Sequence, residues 1–406
     1  MPTIITKSLI TPVVGAMQTS TVGEPSLSAS GSEALFSGNW YAAHSTNSGQ
    51  TWNLIDPFSF FPTAAGGFCC DQTLIFIPKI GMHVWLLQYV QGPTGTNVLR
   101  IAFKQTNLGT KAGWKWWDLV PATFDPGWST DWFDYNHAAL SDNFLYVGTN
   151  MFKGNSFTRA VMFRIPIKAL QTGNLSLERF VSTANFSLRC VQGATTRMYF
   201  GAHEGGQANK LRVFTWPENT TTVSSSVIPI TPWNGATPYG PVGPGPSNWI
   251  GRCDGRITGA WAAKGQLGFM WSANKQGTPR PYPFVRVVRI NEATMTLIDE
   301  PDIWSASMAF AYPDACPNDQ GDLGTTLFGG GVQPVHLVGV RKAASASWNL
   351  GVTAKSTHGP AQPKWGDYLT CRRDHPAAGQ WVASGYSLQG GGGIANIAPH
   401  FVRFKA

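Results

Sequence analysis

The chain is short of charge. Only 13% of its 406 residues are Asp, Glu, Lys or Arg, too few for a solvated coiled coil or a disordered tail. No stretch approaches the roughly 18 consecutive apolar residues of a membrane helix, so no helical span is expected. The opening residues Met1 to Lys7 lack the charged and apolar regions of a secretory signal, so the protein is either not exported by a standard signal or has had it removed. Cys-x-x-Cys pairs are missing, and six cysteines in a chain this long do not define a disulfide framework. Basic runs are missing too. The net charge of +8 favours anionic partners in general, but the Lys and Arg residues are scattered and no aromatic-basic module accompanies them, so nucleic acid is not an expected partner.

What the chain has in quantity is turn formers and flat packing groups: 45 Gly, 28 Pro, 17 Trp and 23 Phe. That composition describes an all-β protein with many turns. The chain divides into units of roughly 45 to 65 residues, each opening on a short polar cluster and continuing in alternating strands, which is the trace a repeat architecture leaves. In the second unit Cys70-Asp71-Gln72 leads a strand to Ile77, and His83 to Val90, Asn97 to Lys104 and Trp114 to Val120 follow. Repeated along the chain, the plan counts to seven. The spacing predicts a seven-bladed β-propeller of four-stranded antiparallel blades, which leaves only short, protected sheet edges. We read one domain over 1–406, with blades starting near 24, 70, 134, 189, 252, 314 and 366. The last blade is a strand short at the C-terminus. The apolar segment Ile4 to Val14, within a closing segment 1–23, is expected to fill the gap.

In the first unit, Ser45-Thr46-Asn47-Ser48-Gly49-Gln50-Thr51-Trp52 reads as a tight turn with its packing partner attached. Asn47 and Gly49 supply the backbone, the hydroxyls bond the turn's amides, and Trp52 folds over it. The run resembles the Asp-box of sialidase-like β-propellers, with Asn in place of the usual Asp. The resemblance implies a fold rather than an activity, because in sialidases the box is a structural turn away from the active site. Phe163-Arg164-Ile165-Pro166 looks like the motif whose arginine holds the sialic-acid carboxylate. Here it follows the box instead of preceding it and falls on a third strand, so it reads as a coincidence. A sialidase also needs three convergent arginines and a Tyr-Glu pair. Arg189 and Arg252 offer two arginines and no such pair is visible. Similar propellers bind or cleave polysaccharides, including lyases that use His and Tyr, and the resemblance places such proteins outside the cell or in the periplasm.

Antiparallel order brings the start of the first strand and the end of the second to one face of every blade. The first-strand starts carry Glu24, Asp71, Asp134, Arg189, Asp254, Asp314 and Asp367. Three readings are open for this ring: structural caps, acid-base chemistry among clustered carboxyls, or a hard cation such as Ca2+ held by Asp71, Asp314 and Asp367. The second-strand ends add Asn150, His203, Glu204 and Asn274. His137, His203, Glu204 and Tyr135 are the candidate catalytic groups, and Arg189, Arg252, Asp134, Asp254, Asn150 and Asn274 the candidate substrate ligands. Cys70, Cys190, Cys253 and Cys316 occupy similar positions and are expected either to pack or to meet near the axis, while Cys69 and Cys70 are placed to form a vicinal disulfide. Sequons at Asn174, Asn185 and Asn219 carry meaning only in a secreted eukaryotic protein. The expected function is a monomeric carbohydrate-active propeller, lyase- or glycosidase-like, that binds or cleaves an anionic polysaccharide or glycan at the channel mouth. The alternatives are a non-catalytic scaffold and, more remotely, a metal-dependent enzyme.

Overall fold

The computed structural model describes residues 1–10, 22–240, 242, 248–360, 366–390 and 397–406. Val14 of the expected closing segment and Trp365 of the seventh unit lie outside the described residues. The described strands form seven sheets, each of four antiparallel strands in meander order. Blade 1 comprises Ser26–Ser30, Glu33–Ser37, Ala42–Ser45 and Asn53–Ile55. Blade 3 comprises Trp132–Leu140, Phe144–Lys153, Ser156–Pro166 and Glu178–Ser182. Each first strand touches the first strand of the next blade, and the seventh touches the first, so the ring is closed around an axis lined by first strands. Among the described residues no helix is long and apolar enough to cross a membrane.

The seventh sheet takes its fourth strand from the other end of the chain. Thr3–Leu9 pairs antiparallel with Ile397–Lys405, from Thr3 opposite Lys405 to Leu9 opposite His400. The turn at 45–52 fastens this closure. Ser45 Oγ accepts from the amides of Asn47 and Gly49, and Asn47 Oδ1 accepts from the Thr51 amide. Trp52 then packs edge-on against Phe36 of its own blade and Phe401 of the last, and its indole donates to Ser8 Oγ on the N-terminal strand.

The core lies between blades rather than inside any one sheet. Tyr146 of blade 3 and Trp216 of blade 4 meet ring to ring at 5.7 Å, and Trp85, Trp216, Trp261, Trp271 and Trp381 are fully buried. Most of the tryptophan content is therefore blade-to-blade packing, which a stack of flat sheets needs because each sheet presents two apolar faces.

One backbone device sets the level of the axial side chains in blades 1, 2, 3, 4 and 6. Glu24, Asp71, Tyr135, Ser187 and Tyr312 all have positive φ, between 41° and 55°, where each first strand begins or just inside it. The left-handed residue makes a bulge, and the first-to-second strand register shifts beside it in blades 2, 3 and 6. Side chains at the bulge stay at the mouth of the channel, and those two residues further on drop one layer into it.

Candidate functional site

The seven entrance residues do not form one ring. Glu24 and Asp71 are themselves bulge residues, and Asp134 and Asp367 sit within one position of a left-handed residue, so these four share the upper layer. Arg189 and Asp314 are two residues beyond Ser187 and Tyr312 and occupy the lower layer. There Asp314, with 0% exposure, accepts from Arg189 and Arg372 and from the backbone amide of Cys371. Asp314 is a plug, and the expectation that it joins Asp71 and Asp367 around a cation is corrected by this layering. Among the described residues no group of three or more His, Cys, Asp or Glu is placed to hold a metal ion.

The upper layer is a chain of carboxyls. Glu24 hydrogen-bonds Asp71, and Asp71 hydrogen-bonds Asp134. Two carboxyl groups in hydrogen-bond contact must share a proton. Burial, then the charges of Asp71 and Asp367, hold Glu24 well above the usual carboxylate range. Burial, then Asp134, pushes Asp71 up to about 7. Asp134 is raised as well, chiefly by burial, while Gln88 donates to it at 3.2 Å. Asp367 goes the other way. Burial would raise it, but the guanidiniums of Arg256 and Arg252 outweigh burial and hold it below its ordinary value. Arg252 donates to both Asp367 oxygens at 2.8 and 3.3 Å, and Arg256 bridges Asp367 and Asp254 at 3.0 and 2.8 Å. The layer therefore holds protonated and ionised carboxyls side by side near neutral pH.

Tyr135 stands between the two halves. Its amide donates to Asp71, its ring lies under the Arg256 guanidinium at 4.4 Å, and its buried hydroxyl has no partner. Burial pushes that hydroxyl up to about 12, so it acts as a donor. Cys69 and Cys70, half-buried and directly before Asp71, are joined by a disulfide. A cavity of 340 Å³ opens beside Arg256 and Asp254, lined also by Phe186, Ser187, His203 and Gly255. A larger one, 850 Å³, occupies the opposite mouth, where first strands end at Ile77, Leu140, Ala263, Pro317 and Arg373. Neither cavity is lined by Glu24, Asp71, Asp134 or Asp367, but the smaller one lies at the end of the channel where Ser187, Asp254 and Arg256 enter the first strands.

Several expected site residues are taken up by structure. His137 donates Nε2–H to the Leu188 carbonyl, and burial together with Arg189 pushes it down to about 3. His203 donates to the Gly255 carbonyl at 2.7 Å between the rings of Trp233 and Trp271, and burial pushes it down to about 4. Its Nδ1 has no partner. Glu204, next in sequence, is not beside it but paired with Arg212 on the third strand. Asn150 fixes Ser187 through two hydrogen bonds, and Asn274 donates to the Ala236 carbonyl and accepts from the Lys275 amide. Arg164 is buried, paired with Glu178 and stacked on Phe144 and Trp216. The cysteines do not converge, since the Cys190 thiol meets Met162 and all four free thiols are buried. Arg256, which with Asp254 lies in the segment leading into the strand Ile257–Ala263, was not among the expected site residues.

No family model matches the chain, and no curated protein sequence does either. Solved structures match its shape. A Trypanosoma rangeli sialidase in complex with the inhibitor DANA is 9% identical with a TM-score of 0.46, over 99% of this chain and 60% of the sialidase. A puromycin hydrolase is 12% identical at 0.48, over 94% of this chain and 53% of its own. An α-L-arabinofuranosidase from Fusarium graminearum in complex with an iminosugar inhibitor is 10% identical at 0.46, over 94% and 92%. The seven-bladed architecture stands on the strand pairing of this chain itself. The chain spans little more than half the length of the first two, and at these identities the likeness concerns architecture alone.

Proposed function

We propose that the protein is a carbohydrate-active propeller that binds a glycan at the upper mouth and hydrolyses it there. The observation that carries this reading is Asp71, a half-buried carboxyl pushed up to about 7 within a hydrogen-bonded carboxyl chain. A carboxylic acid that keeps its proton near neutral pH is what protonation of a glycosidic oxygen requires. Asp71 donates that proton, and Glu24 behind it supplies the next. Asp134, in contact with Asp71, likewise returns a proton to it, the attacking water gives its proton up to solvent, and the Tyr135 hydroxyl, with no partner of its own, binds a sugar oxygen. The glycan is neutral, because Arg252 and Arg256 already serve Asp367 and Asp254 and Arg189 serves Asp314. A lyase fits less well, since neither His137 near 3 nor Tyr135 near 12 makes a base at neutral pH. The protein would act outside the cytoplasm as a monomer.

The test is reducing-end release from a panel of neutral and uronic-acid polysaccharides and p-nitrophenyl glycosides. Cleavage of neutral substrates is expected, with kcat/KM falling as pH rises through about 7, where Asp71 loses its proton. Ultraviolet-absorbing unsaturated products from uronides would instead establish a lyase. If no glycan is bound or cut, the scaffold reading stands. It has support of its own in the pairs Arg252 to Asp367 and Arg189 to Asp314, each tying blades that are not neighbours.

A further inference from the structure

Four aromatic side chains of blade 3 and the loop after it touch in series. Trp132 and Phe152 stack at 5.1 Å, Phe152 meets Phe157 at 6.0 Å, and Phe157 meets Phe186 at 5.1 Å. Trp132 begins a first strand, Phe152 ends a second and Phe157 begins a third, so all three lie on the face of the upper mouth. Phe157 packs against the core between blades 3 and 4, and the other three lie outside it. Trp132, Phe152 and Phe157 are half-buried, and Phe186 is 45% exposed.

Exposure of Phe186 is imposed by its neighbours. Asn185 donates to the His203 carbonyl at 3.2 Å, and the Ser187 amide donates to Asn150 Oδ1 at 3.0 Å, so the loop is pinned on both sides of the ring. An exposed phenylalanine forgoes the transfer energy of burial, and pinning it there removes the chance to tuck it in. The strip runs into the site at both ends. Phe186 lines the 340 Å³ cavity with Asp254 and Arg256, and Trp132 lies two residues before Asp134 on one strand. Flat apolar rings bordered by carboxylates match one chemistry closely: a sugar has apolar C–H faces that stack on aromatics and hydroxyl edges that donate to carboxylates.

We infer that this strip is an extended subsite for a glycan chain, so that the substrate is an oligo- or polysaccharide rather than a small glycoside. The inference rests on the upper mouth being the glycan site. Its test measures Kd by calorimetry for xylan-, arabinan- and cellulose-derived ladders, from disaccharide to hexasaccharide, with the wild-type protein, Phe186→Ala, Phe152→Ala and Phe186→Trp, melting curves verifying that each variant is folded. Wild-type affinity for one ladder is expected to rise with chain length. Phe186→Ala and Phe152→Ala each lose about tenfold on the longest member and little on the shortest, and Phe186→Trp keeps the rise. Equal affinities for wild type and the alanine variants at every length would overturn the strip while leaving the mouth intact. Failure of every ladder to bind would overturn both, and loss of Phe186→Ala binding to a protein ligand but to no glycan would reassign the strip to a protein partner and overturn the inference.

Discussion

Replacing Asp71 with Asn separates a working carboxyl from a structural one. Asp71 has an ordinary value of 3.8 and is pushed up to about 7 in the fold, first by burial and then by Asp134. The folded chain thus holds this proton more tightly than the unfolded chain. Stability from the group is complete below about pH 4 and is lost as pH rises through about 7. At about 1.4 kcal/mol for each tenfold change in proton affinity, the loss across that window is about 4 kcal/mol. Asparagine has no charge to bury. It keeps an oxygen for the Tyr135 amide, and it suits the left-handed backbone at φ 45° better than most residues. Glu24, relieved of a neighbour that raises it, shifts in the same direction.

D71N is therefore expected to match the wild type at about pH 4 and to exceed it by up to about 4 kcal/mol at about pH 8, while losing glycan hydrolysis. The assay is urea denaturation followed by tryptophan fluorescence across that pH range, with the midpoint read at each pH. A variant less stable than wild type at about pH 8, or a wild-type midpoint that does not fall between about pH 4 and pH 8, would refute the reasoning. Either result would mean that the carboxyl is stabilised by its surroundings.

Asp314→Asn should behave in the opposite way. It leaves Arg189 and Arg372 facing each other without an anion in a fully buried layer, and a loss of about 3–5 kcal/mol in urea midpoint experiments is expected at every pH from about 5 to 8. Trp52→Phe keeps an aromatic ring against Phe36 and Phe401 but removes the indole bond to Ser8 and part of the buried ring volume. It should cost about 2–3 kcal/mol, and no loss by calorimetric melting would mean that the closure does not depend on this contact.

The architecture was legible because its signals are local. The 45–52 turn carries its own hydrogen-bonding groups, and strands such as Gln266–Ala273 and Phe284–Asn291 are buried along their length and read as apolar runs. The fourth strands Glu178–Ser182 and Ser224–Pro229 were not read, because an outermost strand is half exposed and needs little apolar pattern. At the site, residue type was legible and level was not. Nothing in Glu24, Asp71, Tyr135, Ser187 and Tyr312 marks them as sharing a left-handed bulge. That bulge decides whether an acid two positions along, such as Asp314, reaches the mouth or plugs the channel. His203 and Glu204 illustrate a boundary: the strand ends at His203 and Glu204 opens a short 3-10 turn, so adjacency in sequence does not carry into the site.

The two layers show what a structural carboxylate looks like in this protein and what Asp71 lacks. Asp314 is buried with two guanidiniums and a backbone amide, enough to replace the water it gave up. Glu24 is buried and Asp71 and Asp134 are half-buried, and among the described residues none has an arginine or lysine within ion-pair distance. Arginines are at hand, since Arg252 and Arg256 sit in the same layer, but their donors go to Asp367 and Asp254. A ring built only to hold blades together would distribute its cations to lower the cost of every buried charge. This one concentrates them on one side, with Asp367 and Asp254, and leaves three carboxyls to share protons on the other. Such an arrangement is destabilising by itself, and the proposed chemistry at the mouth rests on it. That asymmetry favours chemistry at the mouth over a purely structural ring.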